Sequence, residues 1–161
     1  MTKQLIFVTI ETVGRHLHNK KRKEENNMAT ITREKIAKTN AKLTNGFTVN
    51  IMQALRGEKC FDKDFTTPDG RTAEASIYYL TSRNRDTGVS ESYPVVNFNY
   101  YTELENGFRR SEGLGWTMKL QNSPVSRKTE KALVEHTKQL DDIACINWMA
   151  ELQKRHNNPM A

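Results

Sequence analysis

The chain has 161 residues, a formal net charge of +6 and only two cysteines, with 36% hydrophobic and 27% charged residues. That length makes one domain the expectation, no apolar run approaches a membrane-spanning helix, and the N-terminal QLIFVTI is too short and poorly flanked for a signal peptide. The basic excess is divided evenly, +3 in residues 1–27 and +3 in the remainder, so a pI near 9.4 overstates the case for a polyanionic partner.

Residues 1–13 read as a short strand, and the charged GRHLHNKKRKEENN that follows reads as linker. At Met28 the sequence MATITREKIAK resembles a fresh start. The codons of Lys23-Glu24 can spell a bacterial ribosome-binding sequence shortly before it. Residues 1–27 are therefore either a strand-like segment with a charged linker or an upstream extension that is not natively translated. The second alternative suits a bacterial or bacteriophage source. Residues 28–161 form the single α+β domain.

Thr32 can cap a helix over 33–43, stopped by Thr44-Asn45-Gly46. Phe47, Ile51, Met52 and Leu55 have helical spacing, which predicts a second helix ending at Gly57, with a strand as the alternative. Four antiparallel strands in a meander are expected over 60–67, 71–82, 93–104 and 108–120. The turn Thr67-Pro68-Asp69-Gly70 separates the first two strands. Asn106-Gly107 predicts a two-residue type I′ turn between the last two, because both central residues then need positive φ. That register places Glu103 opposite Arg110, Asn97 opposite Trp116, Phe98 opposite Gly115 and Tyr100 opposite Gly113. Ser126 can cap a long C-terminal helix whose stripe of Leu133, Thr137, Leu140, Ala144, Trp148 and Leu152 packs on one face of the sheet. Its second half, IACINWMAEL, is apolar almost all round, which points to a homodimer through this helix.

No constellation here carries catalysis or a cofactor. Asp62 and Asp64 could hold Mg²⁺ beside substrate phosphates, but carboxylates flanking a turn are far more often simply solvated. His16 and His18 supply two ligands where a structural zinc wants four. His136 falls on the buried stripe, Cys145 lies on an apolar helix face without a basic neighbour, and Gly113-x-Gly115 sits in a strand rather than a phosphate loop. Cys60 and Cys145 fit reduced, packed thiols of a cytoplasmic protein.

Aromatic placement is the distinctive signal. All five tyrosines lie between residues 78 and 101, and ten of the thirteen aromatic residues fall in the expected sheet. The pairs Tyr78-Tyr79 and Tyr100-Tyr101 each send one ring away from the helix. A sheet face with exposed tyrosines and nearby arginines can bind a single strand, with bases stacked on rings and phosphates on guanidinium groups. The expected site is Tyr79 and Tyr101 for stacking with Arg83, Arg85, Arg109 and Arg110 for phosphate. The order of elements resembles, in topology alone, small nucleic-acid-binding domains of the double-stranded-RNA-binding kind, none of whose signature residues is present; topology does not fix function. The first expectation is a non-enzymatic accessory protein that binds single-stranded nucleic acid. The alternative is a protein-binding inhibitor of a host enzyme or defence system, and the third is an enzyme with a scattered site.

Overall fold

Alternating apolar and polar residues in four consecutive segments give a sheet with one dry face, and the dry face takes the helices. The computed structural model describes residues 32–158. The strand expected over 1–13, the linker, His16, His18 and the alternative start at Met28 lie outside the described residues. In chain order the elements are α1 (Arg33–Asn40), β1 (Thr48–Val49), α2 (Ile51–Leu55), β2 (Cys60–Thr66), β3 (Thr72–Arg83), β4 (Ser90–Glu103), β5 (Arg109–Lys119), α3 (Glu130–Thr137) and α4 (Asp142–Asn157). The class is mixed α+β with an antiparallel sheet and C-terminal helices, and the strands lie side by side in sequence order. Among the described residues no helix is long and apolar enough to cross a membrane.

Three details differ from expectation. The helix expected over 47–56 is divided: Thr48–Val49 pairs with Asp62 and Phe61, adding a fifth strand. Asn50 then caps a single helical turn through its side chain, 3.0 Å from the Gln53 amide. The long C-terminal helix is also divided. It starts at Glu130 under a Thr129 cap rather than at Ser126, stops at Thr137, and restarts under an Asp141 cap. Between the halves the amides of Lys138, Gln139 and Leu140 each reach back only three residues, the tight geometry typical of a helix end. The second half is consequently one-sided. Cys145 and Met149 are buried, and Ile143 is the only large apolar side chain on α4 strongly exposed.

The third difference is the hairpin register. Gly107 stands at φ +81, but Asn106 does not take a positive φ. Its side chain instead accepts from the Phe108 amide at 3.1 Å. Leu104 and Phe108 close a three-residue loop, with the Leu104 amide donating to the Phe108 carbonyl at 2.7 Å. This is the turn-plus-left-handed-glycine solution rather than type I′. Glu103 therefore faces Arg109, not Arg110. A bulge over Gly113–Gly115 then shifts the register back the other way, so Asn97 faces Thr117, Phe98 faces Trp116 and Tyr100 faces Glu112.

The dry face collects Phe61 and Phe65 from β2, Ala73, Ala75 and Ile77 from β3, and Val96 and Phe98 from β4, under Leu133, Leu140, Cys145 and Met149. The two alanines leave room between flanking strands, where Phe65 and Phe98 meet edge to face at 6.1 Å. Lys63 sits on this face between the two β2 phenylalanines and is 4% exposed. Its ammonium donates to the carbonyls of Asn45 (2.9 Å) and Leu140 (3.0 Å) and meets the Asp142 carboxylate at 2.6 Å. Asn45 in turn donates to the carbonyls of Thr137 and Lys138 at 2.8 and 3.1 Å.

Lys63→Met keeps the volume but leaves two carbonyls without their donor. Urea unfolding should show a loss of about 3 kcal/mol. Asp142→Asn should cost less than about 1 kcal/mol, because that carboxylate faces solvent. Equal costs would show that the ion pair, not the carbonyl bonds, is what the lysine contributes.

Candidate binding face of the sheet

The core helices α3 and α4 pack on one face of the sheet; the other is largely half-exposed, with the α2 segment flanking its β2 side and Cys60 and Val95 buried on it. Alternation places on this open face Asp62 and Asp64 of β2, Glu74, Ser76 and Tyr78 of β3, Tyr93, Asn97 and Tyr101 of β4, and Arg109, Thr117 and Lys119 of β5. Register brings them together: Asp64 lies opposite Glu74, Ser76 opposite Asn97, and Asn97 opposite Thr117.

One end of this face is a charged aromatic cluster. The Arg109 guanidinium lies over the Tyr101 ring at 4.3 Å from its centroid. It donates to both oxygens of Asp64, at 3.1 and 2.9 Å, and reaches Glu74 at 3.7 Å. Partial burial, then the Asp64 carboxylate beside it, pushes the Tyr101 phenol up to about 12. Burial first, then Asp62 and Asp64, raises the Glu74 carboxyl above its ordinary value, which the Arg109 charge only partly offsets. The middle of the face is neutral and polar: Thr117 donates to the Asn97 side chain at 2.8 Å. A Cβ at Gly115 would meet the side-chain amides of Asn99 and Asn97, which would have to move to admit one. At the other end Lys119 stands 3.9 Å over the Tyr93 ring.

Beside the face a cleft of about 610 Å³ opens between α2 and β3, lined by Asn50, Gln53, Lys59, Cys60, Ser76 and Tyr78 among others. Asp62 at its margin accepts from Asn50 at 2.5 Å and from the Cys60 thiol at 3.4 Å. Both cysteines are free and buried. Burial pushes the Cys60 thiol well up, with Asp62 adding to it, and holds Cys145 up at about 11. Burial lowers the His136 imidazole. Among the described residues no three His, Cys, Asp or Glu side chains converge on a metal position.

Of the expected site residues, the fold brings together Tyr101 and Arg109 alone. Tyr79 is on the helix-covered face, where its hydroxyl donates to the Thr129 carbonyl at 2.8 Å and accepts from the Thr129 amide at 3.1 Å. Arg110 alternates to the face opposite Arg109. Arg83 ends β3, with its Nε on the Gly88 carbonyl at 3.2 Å, and Arg85 is exposed in the following turn. At about 3.3 Å per residue, Arg83 lies about 33 Å along β3 from Ala73, the residue beside the Tyr101 end. Sequence reasoning missed Tyr78, Asp64, Glu74 and Asn97 as parts of the face. Ala73, Ala75, Ile77 and Tyr79 alternate along β3 as one apolar face packed in or against the core, which makes Tyr78 the outward tyrosine. No family model, curated protein or solved structure matches this chain.

A raised Glu74 carboxyl means that the charged form costs stability above the ordinary carboxylate range. That cost is relieved as pH falls through the folded value. Glu74→Gln should therefore raise the melting temperature at pH 7, and the gain should shrink as pH is lowered through the carboxylate range. A variant less stable at pH 7 would show that the Arg109 attraction outweighs burial and repulsion.

Proposed function

We propose that this chain is a non-enzymatic binding module whose open sheet face engages a protein partner, as an inhibitor of a host enzyme or defence system would. The observation that carries this reading is the Tyr101–Arg109–Asp64–Glu74 cluster on the uncovered face. Tyrosine and arginine are the residues that anchor protein interfaces, and mixed charge around them suits a partner with both signs. Nucleic acid suits this end less well. Arg109 already holds a carboxylate with both arms, and Asp62 and Glu74 stand where a phosphate chain would pass. Arg83 and Arg85 stand at the far end of the sheet. Burial pushes both thiols up, which disfavours a thiolate nucleophile at either cysteine. Self-association through α4 has Ile143 as its one strongly exposed large apolar contact among the described residues.

The immobilised protein should retain a protein from nuclease-treated bacterial lysate, and Tyr101→Ala should lower that retention about tenfold or more. Retention of a labelled single-stranded oligonucleotide, falling steeply with added salt, would replace this reading with the nucleic-acid one. Equal retention by Tyr101→Ala would move the partner off this face.

A further inference from the structure

β3 outruns β2. The β2–β3 ladder ends at Cys60 opposite Tyr78, while β3 continues beside β4 to Arg83 opposite Ser90. The direction of the backbone groups on this overhang follows from bonds already made. The Cys60 carbonyl accepts from the Asn50 amide at 2.9 Å, so Cys60 faces β1. Alternation turns Phe61 toward β3, so its partner Ile77 faces β2, and Tyr79, Thr81 and Arg83 face the same way. On β4, the carbonyls of Ser92 and Pro94 are taken by Val125 and Leu120, at 2.7 and 2.8 Å, which leaves Tyr93 and Val95 to serve β3. Past the end of β2, then, the main-chain N–H and C=O groups of Thr81 and Arg83 point outward. Among the described residues no main-chain bond from outside the sheet reaches them. Thr81 lines the 610 Å³ cleft, together with Tyr79, Lys59 and Lys128.

The other sheet edge is defended. β5 is broken by the bulge at Gly113–Gly115 and carries Arg109, Arg110, Glu112 and Lys119, the devices that discourage strand addition. The β3 overhang has neither bulge nor proline. Leu80, beside it on the open face, is 41% exposed. The charge around this end is mixed with a basic excess of one, Lys59, Arg83, Arg85 and Lys128 against Glu58, Asp86 and Glu91, the last lying opposite Ser82 on β4 and accepting from the Tyr93 hydroxyl. Lys128 rests on the Thr81 hydroxyl at 2.7 Å, and no described carboxylate pairs with it or with Lys59.

We infer that an extended, acidic segment of a partner protein adds to the sheet along the β3 edge at Thr81–Arg83, continuing the line of β2. The inference rests on the protein-binding reading and names the form the partner takes. Main-chain bonds supply the docking, and alternate side chains of the added strand fall beside Tyr78 and Leu80 on one face and Tyr79 and Lys128 on the other.

The test is a display library of short random linear peptides selected on the intact protein. Selected peptides should be rich in acidic residues. Thr81→Pro removes the outward N–H without touching the β4 ladder, at an edge position where proline is tolerated. It should weaken the selected peptides about tenfold or more, while Thr81→Val, which keeps the N–H and loses only the hydroxyl under Lys128, should weaken them clearly less. Lys128→Glu should weaken them too, and it carries the test if Thr81→Pro fails to fold. Peptides indifferent to Thr81→Pro and Lys128→Glu but lost on Tyr101→Ala would overturn edge addition and leave the open-face reading standing. Failure to select any peptide would overturn edge addition. A dimer dissociated by Thr81→Pro would do so as well, because a second copy would then occupy the edge. Salt-sensitive oligonucleotide binding in place of peptides would overturn both readings.

Discussion

The arrangement of the helices depends on one buried ammonium group. Lys63 occupies a position on β2 where alternation calls for an apolar side chain, flanked by Phe61 and Phe65, with the Phe47 ring 5.4 Å away. Desolvating a lysine is costly unless its donors are satisfied. Here all three donors have acceptors, and these come from distant parts of the chain. Asn45 ends the loop after α1, Leu140 ends the turn between α3 and α4, and Asp142 begins α4. A helix end leaves carbonyls without partners, and the α3–α4 break places one of them over the sheet. Lys63 answers it, so a core position holds a charge because two chain reversals converge there.

Committing the core helices to one face determines the character of the other. Away from its α2 flank, the open face is made of side chains that satisfy one another laterally: Arg109 with Asp64 and Tyr101, Thr117 with Asn97, Lys119 with Tyr93. Val95 is fully buried on this face even so, between its cross-strand neighbours Tyr78 and Lys119. The Arg109–Asp64 pair is nearly half exposed. Such pairs contribute little stability. A partner of the proposed kind could therefore exchange one of these ions for its own without disturbing the fold. On the proposed reading, such a face would discriminate between partners more than it would hold one by charge alone.

Much of the architecture was legible because it rests on local rules. The proline–glycine turn after β2, the left-handed Gly107 and the β3 alternation each mark structure within a few residues. The register was not legible, because Asn-Gly suits two loop lengths. In this chain the Asn106 side chain, by capping Phe108, selects the longer one. The break in the C-terminal helix had its signal in Asp141-Asp142, a cap and first-turn pair that the apolar stripe running across it concealed. Lys63 was not legible at all. Nothing near it in sequence shows that carbonyls 18 and 77 residues away will need a donor there. The site was half legible. An adjacent pair such as Tyr78-Tyr79 shows that one ring faces outward but not which, and the alternation of Ala73, Ala75 and Ile77 turns Tyr79 inward.

The segment that Lys63 anchors also creates the free edge. Asn50 is bonded at once to the Cys60 carbonyl, the Asp62 carboxylate and the Gln53 amide. It thereby caps α2 and holds β1 against the start of β2. The chain between Gly57 and Cys60 must enter β2 from that helical turn, so β2 cannot extend farther along β3. The overhang at Thr81 is thus fixed by the same contacts that close the helical side. It is held on one flank by β4 and at its base by the Tyr79–Thr129 bonds. A partner strand meeting it would find its backbone partners already ordered, and ordering is the cost that most limits peptide affinity. In this chain the rigidity of the covered face and the readiness of the open edge are two consequences of how residues 45–63 are tied down.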